Sequence, residues 1–184
     1  MEEALLKKEE APESRLVKLL LEKDLQITCA ESCTGGMIAS LLVNVPGVSE
    51  ILMESYVTYS NEAKHRLLGV EQEALSEYGA VSQQVAFQMA EGAARAAGAD
   101  AAIAVTGIAG HLGKYIQNTL GLRSIAGPGG GTAQKPVGLV YIGTYLCGNI
   151  RVTENHFLGE RYEIRKQAAE AALLQLTAQL TEQG

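Results

Sequence analysis

The sequence has 184 residues, enough for one domain with a sizeable core, and 47% of them are hydrophobic and 20% charged, a mixture typical of a globular protein. The formal net charge of −6 argues against a nucleic-acid partner, because a phosphate backbone favours a basic surface. No apolar run approaches the ~20 residues of a membrane span, the N-terminus lacks a signal-peptide pattern, and three cysteines without metal-ligand spacing fit reduced thiols. We therefore expect a cytoplasmic protein that binds neither nucleic acid nor a membrane.

The beginning of the chain divides into a charged segment and the start of a domain. Residues 1–13 are highly charged, and we interpret them as a tail or a linker, with residues 14–184 as a single domain. Apolar residues at helical spacing follow Ser14, a suitable N-cap, and predict a first helix. A short buried strand is then expected over 26–30.

Helices and strands alternate through most of the remaining chain. Thr34 is the expected N-cap of the second helix, and Ser60 and Ser82 are the expected N-caps of two later ones. The remaining elements are predicted, in chain order, as a helix over 35–45, a strand over 51–59, helices over 61–68, 71–78 and 83–97, strands over 101–105, 137–146 and 150–158, and a helix over 160–182. The last two strands are expected to form a hairpin at Cys147-Gly-Asn149. This order predicts an α/β layered domain with a mixed sheet, with sites at the carboxyl ends of the strands.

The segment ESCTGG joins the first predicted strand to the second predicted helix. Its two glycines let backbone amides approach a ligand closely, and a helix N-terminus favours negative charge. Ser32 is therefore a candidate nucleophile, with nearby amides to hold its oxyanion. The alternative is that Ser32 and Thr34 are only capping or turn residues.

A second polar segment, YVTYSNEAK, places Tyr59 at a strand end and Lys64 one turn into the following helix. A lysine near a serine can act as a general base when burial lowers its pKa, and a tyrosine hydroxyl can relay the proton or stabilise developing charge. The Tyr-x4-Lys spacing differs from the Tyr-x3-Lys of the short-chain dehydrogenases. The alternative is that Lys64 is an ordinary solvated lysine.

Two arginines lie in the first turns of the last predicted helix. Arg161 and Arg165 are one turn apart on one helix face, and two guanidinium groups suit a phosphate or a carboxylate. The alternative is an ion pair with Glu160 or other surface acids. None of the three histidines pairs with a serine and a carboxylate in a catalytic pattern, and the histidine and cysteine spacings match no metal motif. We therefore expect no metal.

Five segments occur in the order typical of one known family. They are AESCTGG at 30–36, YVTYSNEAK at 56–64, GAVSQQVAFQMAEGA at 79–93, TGIAG…PGGGT within 106–132, and KPVGLVYIG at 135–143. Over residues 14–180 the sequence thus resembles the CinA (competence-damage-inducible protein A) C-terminal domain family, whose members include nicotinamide-nucleotide amidohydrolases. The resemblance implies a three-layer α/β/α domain with a mixed sheet and a tendency to form homo-oligomers.

The resemblance also implies a reaction and its residues. The implied activity is hydrolysis of the carboxamide of nicotinamide mononucleotide to nicotinate mononucleotide and ammonia, with no cofactor. The catalytic residues are expected to be Ser32, Tyr59 and Lys64: Lys64 takes the Ser32 proton, directly or through Tyr59, and amides of the 33–36 turn hold the oxyanion. The expected substrate-binding residues are Thr34, Gly35, Gly36, Thr106, Gly107, Gly110, Gly129, Gly130 and Arg161, the last as a phosphate ligand.

The glycine loop departs from the family pattern. Ile-Ala-Gly occurs at 108–110 and again at 125–127, and removing 111–127 restores the family string TGIAGPGGGT, so we interpret these 17 residues as an insertion. Helical spacing of apolar residues predicts a short amphipathic helix over 112–120, and the alternative is a disordered loop. Its apolar face would act as a lid over the active site or as a contact between subunits.

Three other functions stay open at this point. The domain could be a non-catalytic nucleotide-binding or interaction module of a CinA-like protein, or a serine amidase for another small amide. The insertion could also have inactivated it. Ammonia release from nicotinamide mononucleotide separates a hydrolase for this substrate from a binding module.

Overall fold

A mixed sheet forms the centre of the fold. The computed structural model describes residues 11–110 and 132–182, so the predicted insertion at 111–127, the helix expected over 112–120, and the candidate ligands Gly129 and Gly130 lie outside the described residues. The strands are β1 (Ile27–Glu31), β2 (Tyr56–Val57), β3 (Ala101–Gly107), β4 (Leu139–Leu146) and β5 (Asn149–His156). The helices are α1 (Pro12–Glu22), α2 (Met37–Val43), α3 (Asn61–Leu68), α4 (Gln72–Glu77), α5 (Gln83–Ala97) and α6 (Arg161–Glu182).

The order of the strands in the sheet is β2-β1-β3-β4-β5. β1 runs parallel to both β2 and β3, with Cys29 opposite Ile103, whereas β4 runs antiparallel to β3 and to β5. The carboxyl ends of β1, β2 and β3 therefore meet at one edge of the sheet. Loops that follow parallel strands form the usual site in such sheets.

Helices cover both faces of the sheet and give the three layers that the sequence predicts. Leu16 of α1, Ile38 of α2 and Leu173 of α6 belong to one buried cluster with alternate residues of the central strands. Leu68 of α3 and Met89 of α5 belong to the cluster on the opposite face. The alternation follows from the period of two in a strand, which sends successive side chains to opposite faces.

Two helices begin at other residues than the sequence predicts. α1 starts at Pro12, with Ala11 as its N-cap, and not after Ser14. Proline is favoured at the first position of a helix, because its φ angle is already helical and it has no amide hydrogen to leave unpaired. α2 starts only at Met37, and its N-cap is Gly36 rather than Thr34. Gly35 and Gly36 have φ angles of 60° and 95°, which a right-handed helix cannot include.

The strand predicted over 51–59 is shorter than expected. Tyr56 and Val57 form the ladder with β1, and Leu52 makes one isolated bridge to Ile27. Between Leu52 and Tyr56, side-chain hydroxyls replace the ladder: Thr28 Oγ1 donates to the Glu54 carbonyl at 2.9 Å, and Ser55 Oγ donates to the Cys29 carbonyl at 3.2 Å. Serine and threonine offer the backbone this alternative to regular pairing.

Two of the four predicted caps, Ser60 and Ser82, and the predicted hairpin are confirmed. Ser60 Oγ accepts from the Ala63 amide and Ser82 Oγ from the Val85 amide, at 3.0 and 3.3 Å. Between β4 and β5, Cys147 and Gly148 both have positive φ angles, of 46° and 91°. Two such residues make the turn whose twist matches that of a hairpin.

Helix α6 is fixed along the sheet by polar side chains as well as by packing. Thr144 Oγ1 of β4 donates to Gln179 Oε1 at 2.7 Å, and Gln175 Nε2 donates to Thr144 Oγ1 at 3.2 Å. These bonds fix the position of α6 along β4, and so hold its first turns at the carboxyl ends of the parallel strands.

Within 11–110 and 132–182, the helices are not long and apolar enough to cross a membrane.

Candidate active site

Ser32 lies directly after β1, at the sheet edge where the parallel strands end. Its amide donates to the Val105 carbonyl at 3.0 Å, so the pairing of β1 with β3 continues one residue beyond the strand. The residue is only 9% exposed. The sheet therefore fixes the backbone that carries the candidate nucleophile.

Lys64 reaches this serine from the next loop and helix. Ser60 caps α3 and sets the start of the helix, which places Lys64 one turn in, with 1% exposure. Lys64 Nζ lies 3.1 Å from Ser32 Oγ and donates to the Thr58 carbonyl at 2.7 Å. The solvated surface lysine considered as an alternative is excluded.

The environment of Lys64 makes its neutral form easier to reach than that of a solvated lysine. Burial lowers the pKa of the Lys64 ammonium from 10.5 to about 8, a shift that the nearby Cys33 thiol only partly opposes. Desolvation has this sign because a charged amine loses more hydration energy than a neutral one. When the amine is neutral, Nζ can accept the proton of Ser32 Oγ, 3.1 Å away, which is within the reach of a general base.

Tyr59 is placed differently from the expectation of a proton relay. Tyr59 is 63% exposed to solvent, and its hydroxyl accepts a hydrogen bond from Arg161 Nη2 at 2.9 Å. Arg161 Nη1 also donates to the Gly110 carbonyl at 3.1 Å. Since Lys64 contacts Ser32 directly, this arrangement needs no relay through Tyr59, and the tyrosine belongs with Arg161 at the entrance of the site.

The glycine turn after Ser32 has fewer free amides than the sequence suggests. Glu31, a fully buried residue that the sequence reasoning did not single out, accepts from the Gly36 amide at 2.9 Å. Its carboxylate also accepts from the amides of Ile38 and Ala39, at 3.2 and 2.9 Å. The Gly36 amide and the N-terminus of α2 are therefore occupied by the protein itself, which corrects the expectation that Gly36 holds substrate. An acidic residue just before a helix start is a signal for this role.

Replacing Glu31 tests this capping role. We expect Glu31→Ala to lower the free energy of unfolding by roughly 3 kcal/mol, because hydrogen bonds to a charged group contribute about 1.5–3 kcal/mol and three amides lose their acceptor. Urea unfolding at pH 7 measures the change. Glu62→Ala, on the exposed first turn of α3, is the matched control and should stay within about 0.5 kcal/mol of the parent; an equal effect of the two substitutions would contradict the role.

Arg165 is directed at the loop of Ser32, and not at a surface acid or beside Arg161. Its Nε donates to the Cys33 carbonyl at 2.9 Å and its Nη2 donates to the Thr34 carbonyl at 2.7 Å. The ion pairs found among the described residues do not include Arg165. The two arginines therefore separate, and the sequence expectation that they act together on one anion is wrong for this structure.

Two buried hydroxyls near the site lack partners. Thr34 Oγ1 and Thr58 Oγ1 have no hydrogen-bond partner within the described parts of the chain, and both residues are fully buried. An unpaired buried polar atom costs about 1–3 kcal/mol. These atoms are available to a bound molecule, and substrate binding by Thr34 stays a prediction.

The remaining predicted substrate ligands lie on β3 and just beyond it. Thr106 Oγ1 donates to the Ala80 carbonyl at 2.7 Å, so its hydroxyl anchors a neighbouring loop instead of facing a ligand. A Cβ added to Gly107 would lie 2.6 Å from Val140 Cγ2, so this glycine serves the close approach of β3 to β4. Gly110 presents its carbonyl to Arg161. Of these three, only Gly110 contacts a residue of the candidate site.

The part of the chain that the structure describes contains no group of three His, Cys, Asp or Glu side chains placed to hold a metal ion.

Several known proteins are similar to this chain in sequence. Residues 9–125 and 118–180 match the CinA C-terminal domain family. The two matched parts overlap at residues 118–125, within the segment 111–127. A Clostridium beijerinckii relative, named for competence-damage induction, is 49% identical over 156 residues, which are 85% of this chain and 34% of the relative. A CinA-like protein of Kosmotoga olearia is 47% identical over 165 residues, or 90% of this chain and 36% of the relative.

Solved structures agree with the fold. A competence/damage inducible protein from Agrobacterium tumefaciens is 39% identical with a TM-score of 0.76, and the match covers 92% of this chain and 96% of that one. A CinA superfamily protein from Klebsiella pneumoniae is 30% identical with a TM-score of 0.80, over 93% and 96% of the two chains. The chain spans about a third of the length of the curated relatives it matches. With these matches over most of its length, the chain belongs to the CinA C-terminal domain family.

Proposed function

We propose that this domain hydrolyses the carboxamide of nicotinamide mononucleotide to nicotinate mononucleotide and ammonia, with Ser32 as the nucleophile and Lys64 as its base. The observation that carries the proposal is the buried pair of Lys64 Nζ and Ser32 Oγ, 3.1 Å apart, together with a Lys64 pKa lowered to about 8. An activated serine of this kind suits acyl transfer from an amide.

The reaction is proposed to proceed in two steps. Neutral Lys64 takes the proton of Ser32 as Oγ attacks the carboxamide carbon, and the protonated lysine then returns the proton to the departing nitrogen, so that ammonia leaves. Water, deprotonated by the same lysine, hydrolyses the acyl-enzyme to the carboxylate and frees Ser32. The cationic pyridinium ring of the substrate withdraws electrons and eases both attacks.

The oxyanion needs donors that the protein does not use itself. The Gly36 amide donates to Glu31, which leaves the amides of Cys33, Thr34 and Gly35 as the candidates in this turn. Two backbone amides aimed at a developing oxyanion are a recurrent solution for acyl transfer.

Ammonia release is the direct test of the function. The purified chain is incubated with nicotinamide mononucleotide, ammonia is measured by a coupled assay, and nicotinate mononucleotide is measured by chromatography. We expect both products in equal amounts. Binding of the nucleotide without either product would contradict the proposal and support a binding module instead.

Arg161 is proposed to bind the phosphate of the substrate. It is exposed, and it carries a charge beside Tyr59 at the entrance of the site. We expect Arg161→Met to raise the KM for nicotinamide mononucleotide about 10- to 100-fold, the loss of one charge-assisted contact, while kcat changes less than about threefold. Nicotinamide riboside, which lacks the phosphate, is the control substrate. An equal loss of kcat/KM on both substrates would show that Arg161 does not recognise the phosphate.

A further inference from the structure

Arg165 holds the two peptide groups that follow the nucleophile. Nε and Nη2 of one guanidinium donate to successive carbonyls, those of Cys33 and Thr34, at 2.9 and 2.7 Å. The residue is half-buried. The fixed fork of a guanidinium can hold two acceptors at once, which the ammonium of a lysine cannot do in the same way.

Holding the carbonyls also sets the direction of the amides. A trans peptide group is planar, and its N–H points opposite to its C=O. The described chain contains no cis peptide bond. Since the Cys33 and Thr34 carbonyls point towards Arg165, the amide hydrogens of Thr34 and Gly35 point away from it. Neither of these amides has a hydrogen-bond acceptor within the described residues.

Hydrogen bonds elsewhere in the turn restrict which amides are free to donate to an oxyanion. Glu31 takes the Gly36 amide as well as those of Ile38 and Ala39. The turn is thus held from two sides, by a carboxylate on the amides of α2 and by a guanidinium on the carbonyls before it. The amides of Thr34 and Gly35, two and three residues after Ser32, are left as adjacent donors whose peptide groups Arg165 holds.

Gly35 lies beside the Arg165 guanidinium and has a backbone conformation that favours glycine. Its φ angle is 60°, and an added Cβ would lie 3.4 Å from Arg165 Nη2. A residue other than glycine would be strained at this φ, and its Cβ would come into contact with the guanidinium. The glycine therefore permits the turn that presents the two carbonyls to Arg165.

We infer that Arg165 is a positioning residue that orients the Thr34 and Gly35 amides into an oxyanion hole beside Ser32. The inference rests on the proposed serine hydrolase function. Arg165 is expected to act through the backbone and not to touch substrate, whereas Arg161, one turn earlier on α6, contacts Tyr59 and Gly110 at the entrance. The two arginines therefore have separable kinetic effects.

The kinetic test compares Arg165→Met with Arg161→Met. With nicotinamide mononucleotide, we expect Arg165→Met to lower kcat by about 10- to 100-fold, since loss of one oxyanion donor costs about 10²–10³, while KM stays within about threefold. The fork of donors accounts for the effect, so Arg165→Lys should restore kcat only in part. A purely structural contact would lower the midpoint of thermal unfolding and leave kcat unchanged well below that midpoint.

A second readout does not depend on the substrate. An alkyl fluorophosphonate labels an activated serine when its Oγ attacks phosphorus, fluoride leaves, and the proton passes to the base. We expect labelling of Ser32 in the parent chain, at least about tenfold slower labelling in Arg165→Met, and a parent-like rate in the control Arg15→Met, which replaces an exposed arginine of α1. If Arg165→Met does not fold, Arg165→Lys and Gly35→Ala should show the same slowing.

The outcomes separate the two proposals. A parent chain that is labelled but releases no ammonia from nicotinamide mononucleotide overturns the proposed substrate, and slower labelling of Arg165→Met then still supports the inference. A folded Arg165→Met variant with parent rates of labelling and turnover overturns the inference alone. A parent chain that is neither labelled nor active overturns both.

Discussion

Replacing Ser32 with alanine is expected to reduce ammonia release from nicotinamide mononucleotide to the background of the assay. The substitution removes the only atom proposed to attack the carboxamide, and loss of a covalent nucleophile leaves only the contribution of binding and oxyanion stabilisation. Because Ser32 is held by its backbone amide, through the bond to the Val105 carbonyl, the fold should be retained. Steady-state kinetics and circular dichroism measure the two effects.

The control for this substitution is Ser40→Ala. Ser40 lies on α2, exposed to solvent, and the chemical change is the same. We expect its kcat and KM to equal those of the parent within about twofold. Turnover near the parent level in a folded Ser32→Ala variant would refute the assignment of the nucleophile.

Replacing Lys64 is expected to abolish activity and its pH dependence. In the parent, kcat/KM should rise about tenfold per pH unit below pH 8 and level off above it, because the neutral lysine is the base and its pKa is about 8. Lys64→Met removes the base and should lower kcat by about 10²–10⁴. Lys64→Arg keeps a charge but cannot lose its proton in this range, so it should be equally inactive. A parent profile that is flat from pH 6 to 9 would contradict the role of Lys64.

The same pKa shift makes a prediction about stability. Between pH 8 and 10.5 the unfolded chain binds a proton at Lys64 that the folded chain does not, so the free energy of unfolding should rise with pH across this interval. At about 1.4 kcal/mol per pKa unit, the full rise is roughly 3 kcal/mol. Lys64→Met lacks this contribution. The difference between the two chains in urea unfolding, measured at several pH values, should therefore change in favour of the parent as pH increases.

A constant difference from pH 7 to 10.5 would mean that the lysine has an ordinary pKa in the folded chain. In that case less than about one in a thousand Lys64 side chains would be neutral at pH 7, against about one in ten at a pKa of 8, and Ser32 would need another base. Comparing the two chains at each pH cancels groups that titrate in both, so this measurement tests Lys64 itself.

Much of the architecture follows from local sequence. Ser60 and Ser82 cap helices where predicted, and the turn at Cys147-Gly148 closes the predicted hairpin. These features depend on residues within a few positions of each other, so their physics is present in short segments. The short extent of β2 is different, because it depends on hydroxyl contacts between Ser55 or Thr28 and a neighbouring strand.

The candidate site divides in the same way. Ser32 and Lys64 stand out in the sequence by their residue types, by the loops that follow strands, and by the resemblance to a family. Their contact joins residues 32 positions apart, and only the parallel arrangement of β1 and β2 brings them together. The lowered pKa of Lys64 depends on burial by the whole domain, which no local pattern contains.

The sequence by itself determined the order of helices and strands, the family, and the residue types able to carry a serine-based reaction. Tertiary structure alone decided which distant polar groups meet: Lys64 beside Ser32, 32 residues apart, and Arg165 on carbonyls 132 and 131 residues earlier in the chain. The physical reason is the separation along the chain over which each kind of interaction acts. Propensities, caps and turns act between neighbours in the chain, whereas hydrogen bonds and desolvation depend on distances that exist only after the layers have packed.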